Sequence, residues 1–158
     1  MTGLEAEIEA ATSEEAFNSM PILDAYIDES LRLSSVAMSV RTVVEDGYVF
    51  DNKHKCRKGD RVVIFPPLLH FDADAVGPDP EEFNHKRYIE SKDGTRKKAP
   101  LVTFGGGATL CPGRNFARNE IKLFVVALLE RFQIELVDPN KPTPKMDDTR
   151  TGWSNNMM

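Results

Sequence analysis

Cys111 is the residue whose setting most directly suggests chemistry. It comes shortly after three consecutive glycines, Gly105, Gly106 and Gly107, and is followed at once by Pro112 and Gly113. Glycines strip side chains from one side of a loop and admit positive φ, so the backbone can lie flat against a large partner. Pro112 suits the first turn of a helix. Apolar residues at Ala117, Ile121, Phe124, Leu128 and Phe132 predict that helix over residues 115–132. A thiol placed where a glycine loop meets a helix N-terminus faces free N–H groups and the positive end of the macrodipole. Both favour the thiolate, the form that ligates soft metals or attacks electrophiles. A buried structural cysteine is the plainer alternative for any single Cys.

The spacing Phe-x-x-Gly-x-x-x-Cys-x-Gly-x-x-x-Ala, met by Phe104, Gly107, Cys111, Gly113 and Ala117, resembles the haem-binding loop of the cytochrome P-450 family. The resemblance implies haem b (iron protoporphyrin IX) as cofactor, with Cys111 as the axial iron ligand and Phe104, Gly105 and Gly113 against the macrocycle. One position departs. The family usually carries a basic residue two before the cysteine, paired with a haem propionate, and this chain has Thr109 there.

Upstream, Pro21 opens a helix predicted over residues 22–33, with Leu23, Ile27, Leu31 and Ser34 along one side. Glu29 and Arg32 stand three apart on it and face the same way. Alone, such a pair reads as a solvated surface ion pair. Here Asp28-Glu29-Ser30-Leu31-Arg32-Leu33 is similar to the family's Glu-x-x-Arg helix. That likeness implies a buried three-way network with an arginine from a later loop. The later loop is Asp79-Pro80-Glu81-Glu82-Phe83-Asn84-His85-Lys86-Arg87-Tyr88, where the usual Pro-Glu-Arg-Phe ending is replaced but Arg87 and an aromatic are kept. Guanidinium forks suit the task, because they grip a carboxylate through several charge-assisted hydrogen bonds. The implied role of Glu29, Arg32 and Arg87 is structural. Arg41 matches in position the family arginine that holds a haem propionate; without the resemblance it is a charged residue at a strand start.

Other elements follow from local pattern. Residues 41–45 are expected to pair with 48–51 across a turn at Asp46-Gly47, and residues 61–65 to add a third strand before Pro66-Pro67. Residues 133–137 alternate as a strand. The acidic residues 1–16 read equally as a helix, with Thr12 and Glu15 as a capping box, or as a frayed end. His54 and Cys56 lack the further partners of a metal site and are expected in a polar turn. His70 and Asp72 resemble a family His-x-Asp, with Asp72 as an N-cap and no catalytic role for His70. Residues 92–98 read as a solvated basic loop, residues 138–147 are proline-punctuated, and 151–158 carry little information. Arg114, Arg118 and Lys122 recur on one helix face; the resemblance makes that face a candidate docking stripe for an acidic reductase, and a solvated charge stripe is the alternative.

Composition excludes several classes. The chain has 158 residues, 41% hydrophobic and 28% charged, with net charge −5, an ordinary globular balance without the basic field that nucleic acid requires. Two cysteines are too few for a disulfide framework, and no apolar run reaches membrane-spanning length. The start is acidic rather than signal-like. The fold class implied is α+β: the C-terminal, proximal part of the mainly α-helical cytochrome P-450 fold with a small antiparallel β-sheet, forming one partial domain over residues 1–158. The resemblance covers residues 16–137 and implies that the membrane anchor, the substrate-recognition helices and the distal helix with its acid–alcohol pair lie outside this chain. It implies a monooxygenase that takes electrons from a flavin-containing reductase and inserts one oxygen atom into an apolar small molecule. A full-length relative would face the cytosol on the endoplasmic reticulum, touching the membrane only through that absent anchor. Glu-Ser-Leu-Arg-Leu-Ser-Ser together with Gly-Ala-Thr-Leu-Cys-Pro-Gly-Arg is similar to the sterol and oxysterol hydroxylase branch. Two other classes stay open: a catalytically inactive partial product, and a haem-binding or interaction module without oxygen chemistry.

Overall fold

The computed structural model describes residues 3–36, 38–89, 98–138, 140, 146–147 and 152–153. Its centre is the helix α3, Pro21–Ser34, one residue longer at each end than the spacing predicts. Pro21 occupies the first turn, where its missing N–H costs nothing. Leu23, Ala25, Ile27, Glu29 and Arg32 are buried, so this helix is enclosed on more than one side. No side chain of its own caps it. Glu7 does so from the preceding helix α1 (Gly3–Ala10), accepting from Ile22 N at 2.9 Å and Leu23 N at 2.8 Å. A carboxylate at a helix N-terminus satisfies orphan donors and complements the dipole.

The acidic beginning is therefore ordered. It forms α1 and a short α2, Glu14–Asn18, whose cap is Ser13, accepting from Ala16 N at 3.1 Å, rather than the expected Thr12. Ile8, Met20, Leu23 and Ile27 pack with Val126 of the long helix α6, Arg114–Arg131, and Leu4, Phe17, Leu31, Ile121 and Val125 extend that cluster. This small apolar core fixes α3 against α6. The outer side of α6 leaves Phe116, Leu123 and Phe124 exposed.

Between these helices lie β1 (Ser39–Thr42), β2 (Val49–Phe50), β3 (His54–Lys55) and β4 (Arg61–Ile64). Residues 41–45 do not pair with 48–51. β1 pairs antiparallel with β4, Arg41 opposite Val62, and β2 pairs with β3, Val49 opposite Lys55. The tight turn sits at Asp51 and Asn52, both at positive φ (52° and 53°), a conformation that Asp and Asn tolerate better than most residues. His54 is thus a strand residue, and Cys56 closes the same hairpin by donating from its N–H to Tyr48 O at 2.7 Å. A third antiparallel pair joins β5 (Met146–Asp147) to β6 (Gly152–Trp153).

After β4 come α4 (Pro67–His70) and α5 (Ala73–Val76). Asp72 caps α5, accepting from Asp74 N at 3.0 Å. A 3-10 turn over His85–Tyr88 carries Arg87. Residues 133–137 form no strand, and Ile134, Leu136 and Val137 are exposed without a sheet neighbour. The expected basic loop, apart from Lys98, lies outside the described residues, as do most of 138–147 and 151–158. No helix among the described residues is long and apolar enough to cross a membrane.

Candidate functional site

Glu29 and Arg32 are fully buried, and their side chains meet in a fork: Arg32 Nε donates to Glu29 Oε2 at 2.7 Å and Nη2 to Oε1 at 2.8 Å. Arg87 approaches the same carboxylate, with Nε 3.4 Å from Oε1. At that distance, and without hydrogen-bond geometry at Nε, the contact is one of charge rather than a directed bond. Oε1 also accepts from Asn84 N at 2.8 Å. Each guanidinium then grips backbone carbonyls. Arg32 Nη1 donates to His70 O at 2.6 Å and Pro80 O at 2.7 Å; Arg87 donates to Val76 O at 2.8 Å and Asp79 O at 2.6 Å. The arrangement nails residues 70–87 to α3. Tyr26 adds an apolar clamp by stacking on His85 (centroids 4.2 Å apart) and tilting against Phe83. Burial, and next the charge of Glu29, pushes the Tyr88 hydroxyl well above its ordinary range, so it stays a neutral donor. It donates to Pro100 O at 3.4 Å.

That last contact leads to Cys111. Ala99 N donates to Arg87 O at 3.0 Å, so the segment entering the glycine loop is tethered to the turn that bears Arg87. The loop closes on itself through Cys111 N donating to Phe104 O at 2.9 Å. Gly105 (φ 76°) and Gly107 (φ 60°) take conformations that other residues resist. A Cβ added at Gly106 or Gly107 would meet nothing within 4 Å among the described residues, so that side of the loop is open to them. Cys111 is half-buried and reduced, with Gly113 against its Sγ.

α6 begins at Arg114, one residue earlier than predicted, with Gly113 as its cap. Cys111 and Pro112 therefore sit in the turn that precedes the helix rather than in its first turn. Arg114 braces that turn, donating from N at 3.4 Å and Nη1 at 3.2 Å to Cys111 O. Arg41, on β1, reaches across to this loop and donates to the hydroxyl of Thr109, which in turn donates to Gly106 O at 3.3 Å. An exposed guanidinium thus stands two residues from the cysteine, beside the neutral residue that departs from the motif. Phe104 is half-buried, while Leu110 is exposed.

The Arg114, Arg118, Lys122 stripe does not face solvent as a docking surface would. Lys122 is buried, with Nζ 3.1 Å from Asp24 Oδ2 and 3.4 Å from Phe17 O, and Arg118 pairs with Asp28 and Asp24. Burial opposes the charge of Arg118, but these two carboxylates outweigh it and hold its pKa above the ordinary value. Arg118 and Lys122 join α6 to α3, while Arg114 turns back to Cys111 O. His54 and Cys56 gather no further ligands: among the described residues no group of three His, Cys, Asp or Glu side chains could hold a metal ion. His70, set aside in the sequence, is fully buried and central. Its only sequence signal was its place two residues before the Asp72 cap.

The cytochrome P-450 family model matches residues 5–156. The chain belongs to the cytochrome P-450 family. It is 39% identical over 146 residues to cytochrome P-450 7A1 of Oryctolagus cuniculus, covering 85% of this chain and 29% of that protein. It is 38% identical, with the same coverage, to cholesterol 7-alpha-monooxygenase of Cricetulus griseus. Among solved structures, retinoic acid-bound cyanobacterial CYP120A1 superposes with a TM-score of 0.67 at 30% identity, over 80% of this chain and 30% of that one. The chain thus spans under a third of the cytochrome P-450 proteins it resembles, and its helices with small antiparallel sheets are one part of that fold. Membership in the family implies haem.

Proposed function

We propose that this chain is the proximal, thiolate-bearing part, over residues 1–158, of a haem-thiolate monooxygenase domain acting on a sterol or similar apolar lipid. The observation that carries the proposal is the Cys111 loop. A half-buried thiol lies beside a glycine face open enough for a flat macrocycle, with the Arg41 guanidinium on Thr109 close by. That donor set fits haem b: a soft sulfur for iron, bare backbone for the ring, and a cation for a propionate. Cys111 would hold the iron. Phe104, Gly105 and Gly113 would lie against the macrocycle, and Arg41 would pair with a propionate. When bound, the haem supplies dioxygen activation, which a cysteinate ligand promotes by donating electron density.

The chain's own residues do the positioning. Glu29, Arg32 and Arg87 fix residues 70–87, that segment holds residues 99–102, and these lead directly into the cysteine loop. The Cys111 N–H to Phe104 O bond and the brace from Arg114 set the sulfur's direction. Overall, a substrate C–H becomes C–OH, and the second oxygen of O2 leaves as water with two electrons and two protons. A flavin-containing reductase would deliver the electrons, on the cytosolic face of the endoplasmic reticulum. The name of the Cricetulus griseus relative supports the sterol class.

Because the chain spans under a third of its relatives, the second reading is a haem-binding piece that is inactive by itself. Two samples test both readings: the chain alone, and the chain joined to the rest of a cytochrome P-450 domain. Each is loaded with haem and supplied with flavin reductase, NADPH, cholesterol and isotopically labelled dioxygen. The joined protein is expected to give a sterol carrying one labelled oxygen, and the chain alone none. Absence of labelled product from a joined protein that holds haem through its thiolate would overturn the monooxygenase reading.

A further inference from the structure

We propose that His70 is a positioning residue, tying the Glu29–Arg32–Arg87 network to the segment that leads into the Cys111 loop; its consequence for the iron ligand rests on the reading of Cys111 given above. His70 ends α4 and is fully buried. Its two polar ends do different things. The carbonyl accepts from Arg32 Nη1 at 2.6 Å, and the ring accepts at Nε2 from Val102 N at 3.0 Å. A backbone amide can only donate, so Nε2 is the unprotonated nitrogen and the proton sits on Nδ1. Nδ1 has no hydrogen-bond partner among the described residues. The ring is therefore held by the bond at Nε2 and by packing.

Val102 is two residues before Phe104, whose carbonyl receives the N–H of Cys111. Three tethers hold the approach to the loop: Arg87 O to Ala99 N, Tyr88 Oη to Pro100 O, and His70 Nε2 to Val102 N. All three come from parts that the buried ions immobilise. Of the three, the bond from the imidazole is nearest Cys111 along the chain. Burial, and then the adjacent Arg32 charge, disfavours the imidazolium, which keeps Nε2 an acceptor. An apolar residue of similar size would leave the Val102 N–H without its partner, and the segment free to shift.

Hydrogen exchange and the ferrous carbon monoxide spectrum, measured on the haem-loaded protein, test this with His70→Leu and His70→Gln. His70→Leu is expected to speed exchange at Val102 about tenfold or more, to leave Ala99 unchanged, and to lower the thiolate-type fraction of the spectrum. His70→Gln offers an amide oxygen near the position of Nε2 and is expected to restore both readouts. Unaltered exchange in His70→Leu, or failure of a folded His70→Gln to restore it, would overturn the tether. Should His70→Leu not fold, the nitrogen chemical shifts of the unsubstituted protein decide: the Nδ1–H tautomer supports the proposal and the Nε2–H tautomer refutes it. A protein without thiolate-type absorption would overturn the Cys111 reading instead, and the exchange data would still decide the role of His70.

Discussion

Replacing Arg87 by alanine probes the ion network that orders the approach to Cys111. Glu29 and Arg32 have no solvent exposure and Arg87 has 8%, so solvent screening is slight. The truncation removes the 3.4 Å charge contact with Glu29 and the bonds to Val76 O and Asp79 O. Two hydrogen bonds to a charged group suggest ~3–6 kcal/mol. Deleting one partner of a buried pair costs ~3–5 kcal/mol. Both figures describe the same loss and do not add, so ~3–5 kcal/mol is the expectation. Against a total stability of ~5–15 kcal/mol this is severe. With a urea slope of ~2 kcal/mol per molar, the unfolding midpoint should fall by ~1.5–2.5 M. Arg87→Lys should recover only part, because one ammonium cannot reach both carbonyls and the carboxylate. Glu29→Gln should cost at least as much as Arg87→Ala, since it strands two buried guanidinium groups. A midpoint for Arg87→Ala within ~0.3 M of the unsubstituted protein would refute the argument.

Lys122→Glu places an anion beside Asp24 in a buried site and should destabilise by ~3–5 kcal/mol; its reduction rate per folded molecule should keep the salt dependence of the unsubstituted protein, and a changed dependence would revive docking on that stripe. Gly107→Ala should cost ~1–2 kcal/mol from its positive φ. Gly106→Ala, with extended φ and open space around it, should change unfolding by less than ~0.5 kcal/mol yet speed haem loss to an apo-globin acceptor; equal haem retention would show that this face is not against the ring. pH dependence follows from His70 and His85. Burial lowers both below 6.5, helped by Arg32 for His70 and by Lys86 for His85, where Glu29 opposes. As pH falls below that value the unfolded chain takes up protons first, so stability should decline until the folded rings titrate, and stay level above it. Unfolding midpoints that do not fall between about pH 7 and pH 5 would contradict both assignments.

Helices with marked punctuation were legible. Pro21 and an apolar stripe located α3 to within one residue at each end, and Asp72 marked the start of α5. Strand pairing was not. Residues 39–42 are joined to 61–64 by the register of side chains many residues apart; the chain does turn at Asp46-Gly47, as expected, but the hairpin turn is the one at Asp51-Asn52. Residues 133–137 alternate correctly but have no neighbouring strand, and alternation alone cannot supply one. Periodicity placed Arg114, Arg118 and Lys122 on one side of α6 but carried no direction. Asp24 and Asp28, four apart on α3, turn Arg118 and Lys122 inward. At the site, the cysteine motif could be read from spacing because its glycines are local requirements. The bond from Arg41 to Thr109, and that from His70 to Val102, depend on tertiary approach that no local pattern encodes.

The central claim is that Cys111 is the sulfur that binds haem iron. The ferrous carbon monoxide spectrum of the haem-loaded protein measures it directly, compared among the unsubstituted chain, Cys111→His and Cys56→Ser. Cys56 lies in the β2–β3 hairpin, with Sγ 3.6 Å from His54 O, and its replacement should leave thiolate-type absorption unchanged. Cys111→His should convert the spectrum to the imidazole type. Thiolate-type absorption that survives in Cys111→His, or that disappears in Cys56→Ser, would contradict the account.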